Sequence, residues 1–445
     1  MRAVWIVAAI ACAWPRAAAG GEQSDAGASV GSYGRVSIGT DLRGGTPEPV
    51  AVVQHGARII EPSYLELDLY YDWPARDGID VRAVATVAFG DALFHYDGEF
   101  DATIALRNLY AEATIRDDTG VWVGSRMYRG DDVYLLDWWP LDDYNTVGGG
   151  AWWRQGPWNV RGHAGAHRLR DPFQFQEVDV PDPEFGSTTI AQLDRQRLIA
   201  SVTPSYVGPS YKAIVHFDVQ GIGDGERRLV DESIEKLPSD SGWTAGAQVG
   251  AWGFGPDASH ANLFVRYARG LAAFDELDVP DGLSPDKRAT GASEFVAGAA
   301  AAYEFPHGGV VFGGYTRRFV DADPNENDRD DGWEYIADVR PYAYLFDQLH
   351  AAVDVSYQQR FPRGVSPVLA RGVDPAVFQI APMLVLSPQG GGAYARPHLR
   401  LVYRGARLNE GARDLYPAED ARHAHRWQHF LGLQAEWWFN SSTYR

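Results

Sequence analysis

The sequence predicts an all-β chain folded as a transmembrane antiparallel β-barrel, and three observations predict it. Runs of roughly 8 to 12 residues alternate between apolar and polar side chains from about residue 31 to residue 439, separated by turns rich in Gly, Pro, Asp and Asn. Aromatic residues make up 13% of the chain, with 15 Trp and 22 Tyr, and the apolar faces of the strands tend to end in them, as at a membrane interface. No segment has the about 18 uninterrupted apolar residues that a spanning helix needs, which disfavours a helical membrane protein.

The N-terminus comes first. Met1-Arg2, the apolar run from Ala3 to Ala13 and the small residues Ala17-Ala18-Ala19 predict a cleaved secretory signal over residues 1–19, leaving residues 20–445 as one barrel domain. The single cysteine, Cys12, lies inside that signal, so the exported chain carries no thiol, disulfide or cysteine metal site. Lipidation at Cys12 is the alternative, and the short apolar stretch before it speaks against it. Loss of Arg2 and Arg16 with the signal takes the formal charge from −19 to −21. Such acidity disfavours nucleic acid as a partner and suits solvated loops or a polar lumen.

The strands follow a period of two. In Ser63 to Leu69, the side chains of Leu65, Leu67 and Leu69 share one face and Tyr64, Glu66 and Asp68 the other. The same alternation runs through Ala213 to Val219, Ala351 to Tyr357 and Leu399 to Tyr403. In the closing run, Leu431, Leu433, Ala435, Trp437 and Phe439 oppose Gly432, Gln434, Glu436 and Trp438. A wall between lipid and water requires this pattern. A secreted β-sandwich or propeller also alternates, but no blade-like repeat of fixed length is visible. The connections are of two kinds, tight ones such as Pro306-His307-Gly308-Gly309 and long acidic ones such as Asp321 to Gly332 and Asp275 to Asp286. Short turns on one rim and long loops on the other are how such barrels are built.

Motifs of other chemistries fail on context. Gly27 to Gly31 has the spacing of a nucleophile elbow, but it falls on what reads as a polar N-terminal lead-in rather than between a strand and a helix. The acidic run Asp321 to Asp328 resembles a calcium loop in composition, yet Asp328 stands where the sharp turn needs glycine. The 12 histidines show no paired metal-ligand spacing, so no metal, cofactor or catalytic residue is assigned.

The informative block is Val121 to Tyr144. After a strand-like start, Trp122-Val123-Gly124-Ser125-Arg126-Met127-Tyr128, it mixes carboxylates with bare aromatics and loses its period of two. Exposing Trp138 and Trp139 to water would be a liability, so the segment is expected to fold inward into the lumen.

This block resembles the third loop of the maltoporin-type sugar porins, trimeric eighteen-stranded outer-membrane barrels that pass oligosaccharides. Similar matches recur at Ser32-Tyr33-Gly34-Arg35, Tyr64-Leu65-Glu66-Leu67, Gly332-Trp333, Val339-Arg340-Pro341-Tyr342, Tyr394-Ala395-Arg396-Pro397 and the terminal strand, so the resemblance covers nearly the whole exported chain. It implies eighteen strands, an inward third loop, a homotrimer in outer-membrane lipid and an oligosaccharide substrate. By position it implies an aromatic slide of Tyr33, Tyr64, Phe274, Tyr394 and Trp438, with Trp139 at the constriction where the family has tyrosine. The polar track beside it would be Arg35, Arg58, Glu66, Asp132, Asp137 and Asp142. Phase agrees for three of these aromatics: Tyr33 shares a face with Arg35, Tyr64 with Glu66, and Trp438 with Glu436. Single inward aromatics can also simply fill space or sit in the interfacial girdle.

A sugar suits such a mixture, because a pyranose presents C–H faces to flat rings and hydroxyls to arginine and carboxylate groups. The chain also departs from the family. The segment Asp91 to Asp101 lacks the tryptophan with which the slide begins, offering only Phe94, Tyr96 or Phe100. Gly130 stands where a constriction arginine is usual, with Arg129 adjacent, and the tail Asn440 to Arg445 extends past the usual aromatic terminus. The rival functions are a general or cation-preferring diffusion pore, a barrel enzyme such as a phospholipase, and a secreted carbohydrate-binding β protein.

Overall fold

The computed structural model describes residues 27–92, 101–167, 175–182, 186–193, 196–228, 231, 233–256, 259–274, 282–324, 329 and 331–442. The expected signal, and Phe94, Tyr96 and Phe100, lie outside them. The strands are, in order, β1 (Gly27–Thr40), β2 (Tyr64–Arg76), β3 (Ile79–Ala92), β4 (Asp101–Ile115), β5 (Thr119–Arg129), β6 (Asp143–Gln155), β7 (Trp158–His167), β8 (Phe175–Asp182), β9 (Gly186–Leu193), β10 (Arg197–Val207) and β11 (Tyr211–Ile222). They continue with β12 (Gly225–Arg228), β13 (Ile234–Leu237), β14 (Asp240–Trp252), β15 (His260–Gly270), β16 (Ser293–Phe305), β17 (Gly308–Val320), β18 (Gly332–Phe346), β19 (Leu349–Pro362), β20 (Ala376–Leu386), β21 (His398–Leu408) and β22 (Trp427–Phe439).

Eighteen of these form one sheet, while β8–β9 and β12–β13 are separate hairpins in the long loops. Neighbouring strands pair antiparallel, and β1 bonds to both β2 and β22, so the sheet closes on itself and leaves no edge. At the seam Tyr33 opposes Trp438 and Arg35 opposes Glu436. The eighteen-stranded barrel implied by the family resemblance is therefore the fold. One boundary needs correction: β1 opens at Gly27, not near residue 31, so Gly27 to Gly31 is strand rather than lead-in. That strand runs on to Thr40 without a helix, which removes the nucleophile-elbow geometry.

Turns such as 77–78, 156–157, 306–307 and 347–348 lie on one rim, and connections such as 41–63, 130–142 and 363–375 lie on the other. Two aromatic belts mark these rims on the outer face. Trp73, Trp153, Trp158, Tyr211 and Phe305 stand exposed toward the short turns; Trp243, Tyr267, Trp333, Phe361 and Trp427 stand exposed toward the long loops. Between them the outward positions are aliphatic, as with Leu263, Val265, Leu399 and Leu401. Apolar residues left exposed in this periodic band are stable only against hydrocarbon, with the aromatics at the headgroups.

The lumen is filled on one side. The third long loop, 130–142, turns inward through a short 3-10 turn, Tyr134–Leu136, and buries Val133, Leu136, Trp138 and Leu141. The first loop folds in beside it, burying Val50, Val52 and Val53, and the two pack on Phe264, Val296, Ile336 and Val377 of the wall. Burying each such aliphatic side chain contributes roughly 1.5–3 kcal/mol. Wall glycines make room: a Cβ at Gly313 would meet Val133 Cγ1 at 2.8 Å, and one at Gly246 would meet Leu141 Cδ2 at 2.6 Å.

Polar groups pin the first loop to the wall. The Val52 N–H donates to Gln358 Oε1 at 2.8 Å, the Gln54 N–H to Glu334 at 3.1 Å and the His55 N–H to the Tyr315 hydroxyl at 3.0 Å. The His55 ring stacks on Trp138, with centroids 5.2 Å apart. The third loop thus folds inward as its aromatics require, and the first loop joins it.

Candidate functional site in the barrel lumen

Strand alternation sets the site. Tyr33 and Arg35 of β1, Tyr64 and Glu66 of β2, and Glu436 and Trp438 of β22 all project to the lumen side, because each pair is two residues apart on adjoining strands. Tyr33 and Tyr64 lie with ring centroids 6.1 Å apart. The third loop supplies Asp137, whose backbone sits in the left-handed region at φ 50°, and the first loop supplies Arg58 and Glu61.

These groups form one ionic network. Arg35 Nη1 donates to Glu61 Oε1 at 2.7 Å and to Asp137 Oδ2 at 2.9 Å. Arg58 donates from Nε to Glu61 at 2.6 Å, from Nη2 to Glu436 Oε1 at 2.9 Å, and also to the Tyr33 hydroxyl. Glu436 accepts in addition from Arg396 Nε at 3.0 Å and from Arg400. The Tyr134 hydroxyl accepts from Arg396 at 2.5 Å and from Arg400 at 3.2 Å. Burial alone would discharge Arg58, but Asp137, Glu61 and Glu436 hold its pKa well above the ordinary value. Against the same penalty, Arg58 and Arg35 hold the Asp137 carboxyl well below the usual carboxylate range.

The aromatics of the expected slide are placed as follows. Tyr33 is only 2% exposed, its hydroxyl shared by two arginines. Tyr64 donates to Glu66 at 2.7 Å, accepts from Arg107 at 2.5 Å, and has the Arg35 guanidinium 5.4 Å from its ring centre. Trp438 carries the Arg396 guanidinium 3.9 Å from its ring centre. Tyr394 lies in the connection between β20 and β21, on the short-turn rim, and meets Tyr134 edge to face at 5.3 Å. Burial raises its phenol above the ordinary value. Tyr33, Tyr64, Trp438 and Tyr394 therefore gather around the third loop, with their faces against arginines and tyrosines rather than as a bare strip. Phe274 ends the 3-10 turn Leu271–Phe274, and its side chain lies outside what the structure describes.

Trp139, expected at the constriction, sits beside this cluster. Arg129 stacks 3.6 Å from the Trp139 ring centre and donates to Asp143 Oδ1 at 3.0 Å, while its charge also lowers Asp137. Trp139 is buried, and Asp142 pairs with Arg161 of β7 rather than with the Tyr33 network. Asp132 is half-buried near Tyr394 and Arg58, and loss of hydration pushes its carboxyl up to about 6.

Sequence reasoning missed Glu61, Arg107, Tyr134, Arg396, Arg400 and Glu436 as site members. Alternation could have found Arg400 and Glu436, which share the inward phase of His398 and Trp438. Arg107 carried no signal, because a bulge after Thr86 leaves it without a partner in the register and swings it against Glu66. Lys212 to Asp131 at 2.7 Å and Arg126 to Glu112 extend the ion pairs to other parts of the wall. Such a lumen can hold water and orient polar solutes.

The model of the LamB porin family matches residues 30–439. No curated protein matches the chain. Among solved structures it is similar to the outer membrane protein opdK from Pseudomonas aeruginosa, at 11% identity over 94% of this chain and 100% of that one, with a TM-score of 0.47. It is also similar to OccK3 (OpdO) of Pseudomonas aeruginosa, at 10% identity over 93% and 96% with a TM-score of 0.46. A loop L8 deletion mutant of OmpT, an outer membrane protein of Vibrio cholerae, aligns at 10% identity over 93% and 99% with a TM-score of 0.38. An edgeless barrel with a lipid-facing band between aromatic belts, matched almost from end to end by that family model, is a multi-pass outer-membrane porin, and the chain belongs to the LamB porin family.

Proposed function

We propose that the porin passes sugars by passive diffusion, contacting them along Tyr33, Tyr64, Trp438 and Tyr394 while Arg35, Arg58, Glu66, Asp132 and Asp137 exchange hydrogen bonds with their hydroxyls. The observation that carries this reading is the gathering of four slide candidates and five polar-track candidates around one inward loop. The Arg35 and Arg396 guanidinium groups lie over the rings of Tyr64 and Trp438, and a sugar C–H face takes the place of a guanidinium there. Modest contacts in series let a solute enter without being trapped. The exported chain begins after residue 19, carries no cofactor, and assembles as a homotrimer.

Saturable block of ion current in planar bilayers by added oligosaccharide tests the reading. Block that titrates with sugar concentration supports it. Current unaffected by maltodextrins, sucrose and other glycans leaves a general or cation-preferring diffusion pore. The family and fold speak for a channel and against the enzyme reading.

A further inference from the structure

The outer face of the wall carries charges that the lumen does not use. Arg269 of β15, Arg318 of β17 and Arg407 of β21 are all exposed. They share the outward phase of Val265 and Tyr267, of Phe312, and of Leu401 and Tyr403 on their own strands, so they project to the lipid side. Each lies within two residues of the strand end that runs into a long loop. Each also stands directly opposite a tryptophan of the neighbouring strand: Trp243 faces Arg269, Trp333 faces Arg318 and Trp427 faces Arg407. Opposed residues of an antiparallel pair project from the same face, so the three arginines are set into the aromatic belt of that rim.

Their donors are unspent. Among the described residues none of the three has a hydrogen-bond or ion-pair partner, whereas the inward Arg58, Arg266 and Arg340 are all paired with carboxylates. The Arg318 guanidinium lies 6.0 Å from the Trp333 ring centre, a contact that uses its face and leaves its N–H edge free. The belt at the short turns is built without cations: Trp73 faces Val81, Trp153 faces Val160, Tyr211 faces Ala251 and Phe305 faces Gly308. The arrangement is therefore sided. An arginine at headgroup depth lays its methylene stem along apolar surface and lifts its charge into the polar layer, where the anion within reach is a lipid phosphate.

We infer that the three Arg–Trp pairs form a docking surface for phosphate-bearing lipid headgroups in the leaflet at the long-loop rim. Each guanidinium donates its fork to phosphate oxygens, and the tryptophan opposite holds the stem at the interface. Long loops of such barrels face the cell exterior, which places the surface in the outward leaflet. The inference rests on the membrane orientation of the barrel and is independent of the solute that the pore passes.

Native mass spectrometry of the barrel in neutral detergent tests it, with three probes: diphosphorylated lipid A, the same lipid stripped of both phosphates, and inorganic phosphate. The wild type is expected to retain the phosphorylated lipid at least about tenfold more tightly than the stripped one. Arg269→Gln, Arg318→Gln and Arg407→Gln together should remove most of that preference and leave the compact electrophoretic form of the barrel intact. Arg76→Gln, Arg116→Gln and Arg154→Gln together take the same charge from the short-turn rim and should leave the preference in place. Equal retention of the two lipids, a preference that survives the long-loop substitutions, or one that both sets of substitutions abolish overturns the docking surface. Release of the lipid by inorganic phosphate would assign the arginines to free phosphate and overturn it as well.

Discussion

Arg58 of the first loop donates to Glu436 of the closing strand at 2.9 Å, joining residues 378 apart in sequence at the seam of the barrel. Both side chains are 3% exposed. Removing one partner of such a buried pair typically costs about 3–5 kcal/mol, because the other charge is left without compensation. Arg58→Met is therefore expected to release the first loop from the lumen. Single-channel conductance should rise and become noisier, and residues 46–61 should become open to protease in the assembled barrel. A variant with wild-type conductance and no new cleavage would show that the apolar packing of Val50, Val52 and Val53 holds the loop by itself.

Trp438 and Tyr33 face each other across the seam but hold different partners, and their substitutions should differ. Trp438→Ala removes a ring whose face is available to a sugar once Arg396 gives way. A stack of this kind is worth about 0.5–2 kcal/mol, so sugar block should weaken by roughly 2- to 30-fold with conductance kept. Tyr33→Ala also removes the hydroxyl that accepts from Arg58, so it should weaken block and loosen the first loop together. Titration of current block with maltodextrins reads both, and unchanged affinity in the two variants would reject their place in the track.

Trp138 is only 2% exposed, and its ring packs between His55 and Tyr315, with centroids at 5.2 and 4.9 Å. Trp138→Ala leaves a cavity where the two inward loops meet, an effect of about 3–5 kcal/mol in well-packed interiors. The temperature at which the barrel loses its compact electrophoretic form should fall, and open-channel noise should increase. Trp139 is capped by Arg129 on the neighbouring wall, so Trp139→Ala should alter sugar block with a smaller effect on that temperature. Equal thermal losses would mean that both tryptophans serve packing.

How much of this was legible in the sequence depends on which force sets each part. Strand phase was legible, because one lipid-facing side fixes register along each strand: Leu65, Leu67 and Leu69 against Glu66 and Asp68, and Trp438 with Glu436, fall where alternation places them. The inward third loop was legible from Trp138 and Trp139, which had to be covered. The first loop was not, since Val50, Val52 and Val53 sit among Pro and Gly in a segment without period, and only the glycine-lined wall and the third loop give them a surface. Arg107 was hidden by its bulge. The covering of Trp438, Trp139 and Tyr64 by Arg396, Arg129 and Arg35 was equally invisible, as it depends on which long side chains meet across strands far apart in sequence.

Asp132 is expected to make the pore sensitive to pH. Its carboxyl, half-buried on the third loop, is pushed up to about 6, chiefly by loss of hydration and also by the nearby Asp137 and Asp131 charges, with Arg58 opposing. An unfolded aspartate titrates near 3.9. Below about pH 4 the group is protonated in both states and has no effect on stability. Between about 4 and 6 the folded protein binds the proton more tightly than the unfolded chain, so stability falls as pH rises, by no more than about 2 kcal/mol for a group that keeps some water. Above about 7 both states are ionised and the loss is constant. Over the same interval a negative charge appears in the lumen, so the wild-type pore should become more cation-selective between pH 5 and pH 7.5. Asp132→Asn should flatten that change and remain as stable at pH 7.5 as at pH 5, apart from groups common to both proteins. Reversal potentials in a salt gradient measure it directly: a shift in Asp132→Asn as large as in the wild type would assign the titration to another carboxylate of the lumen.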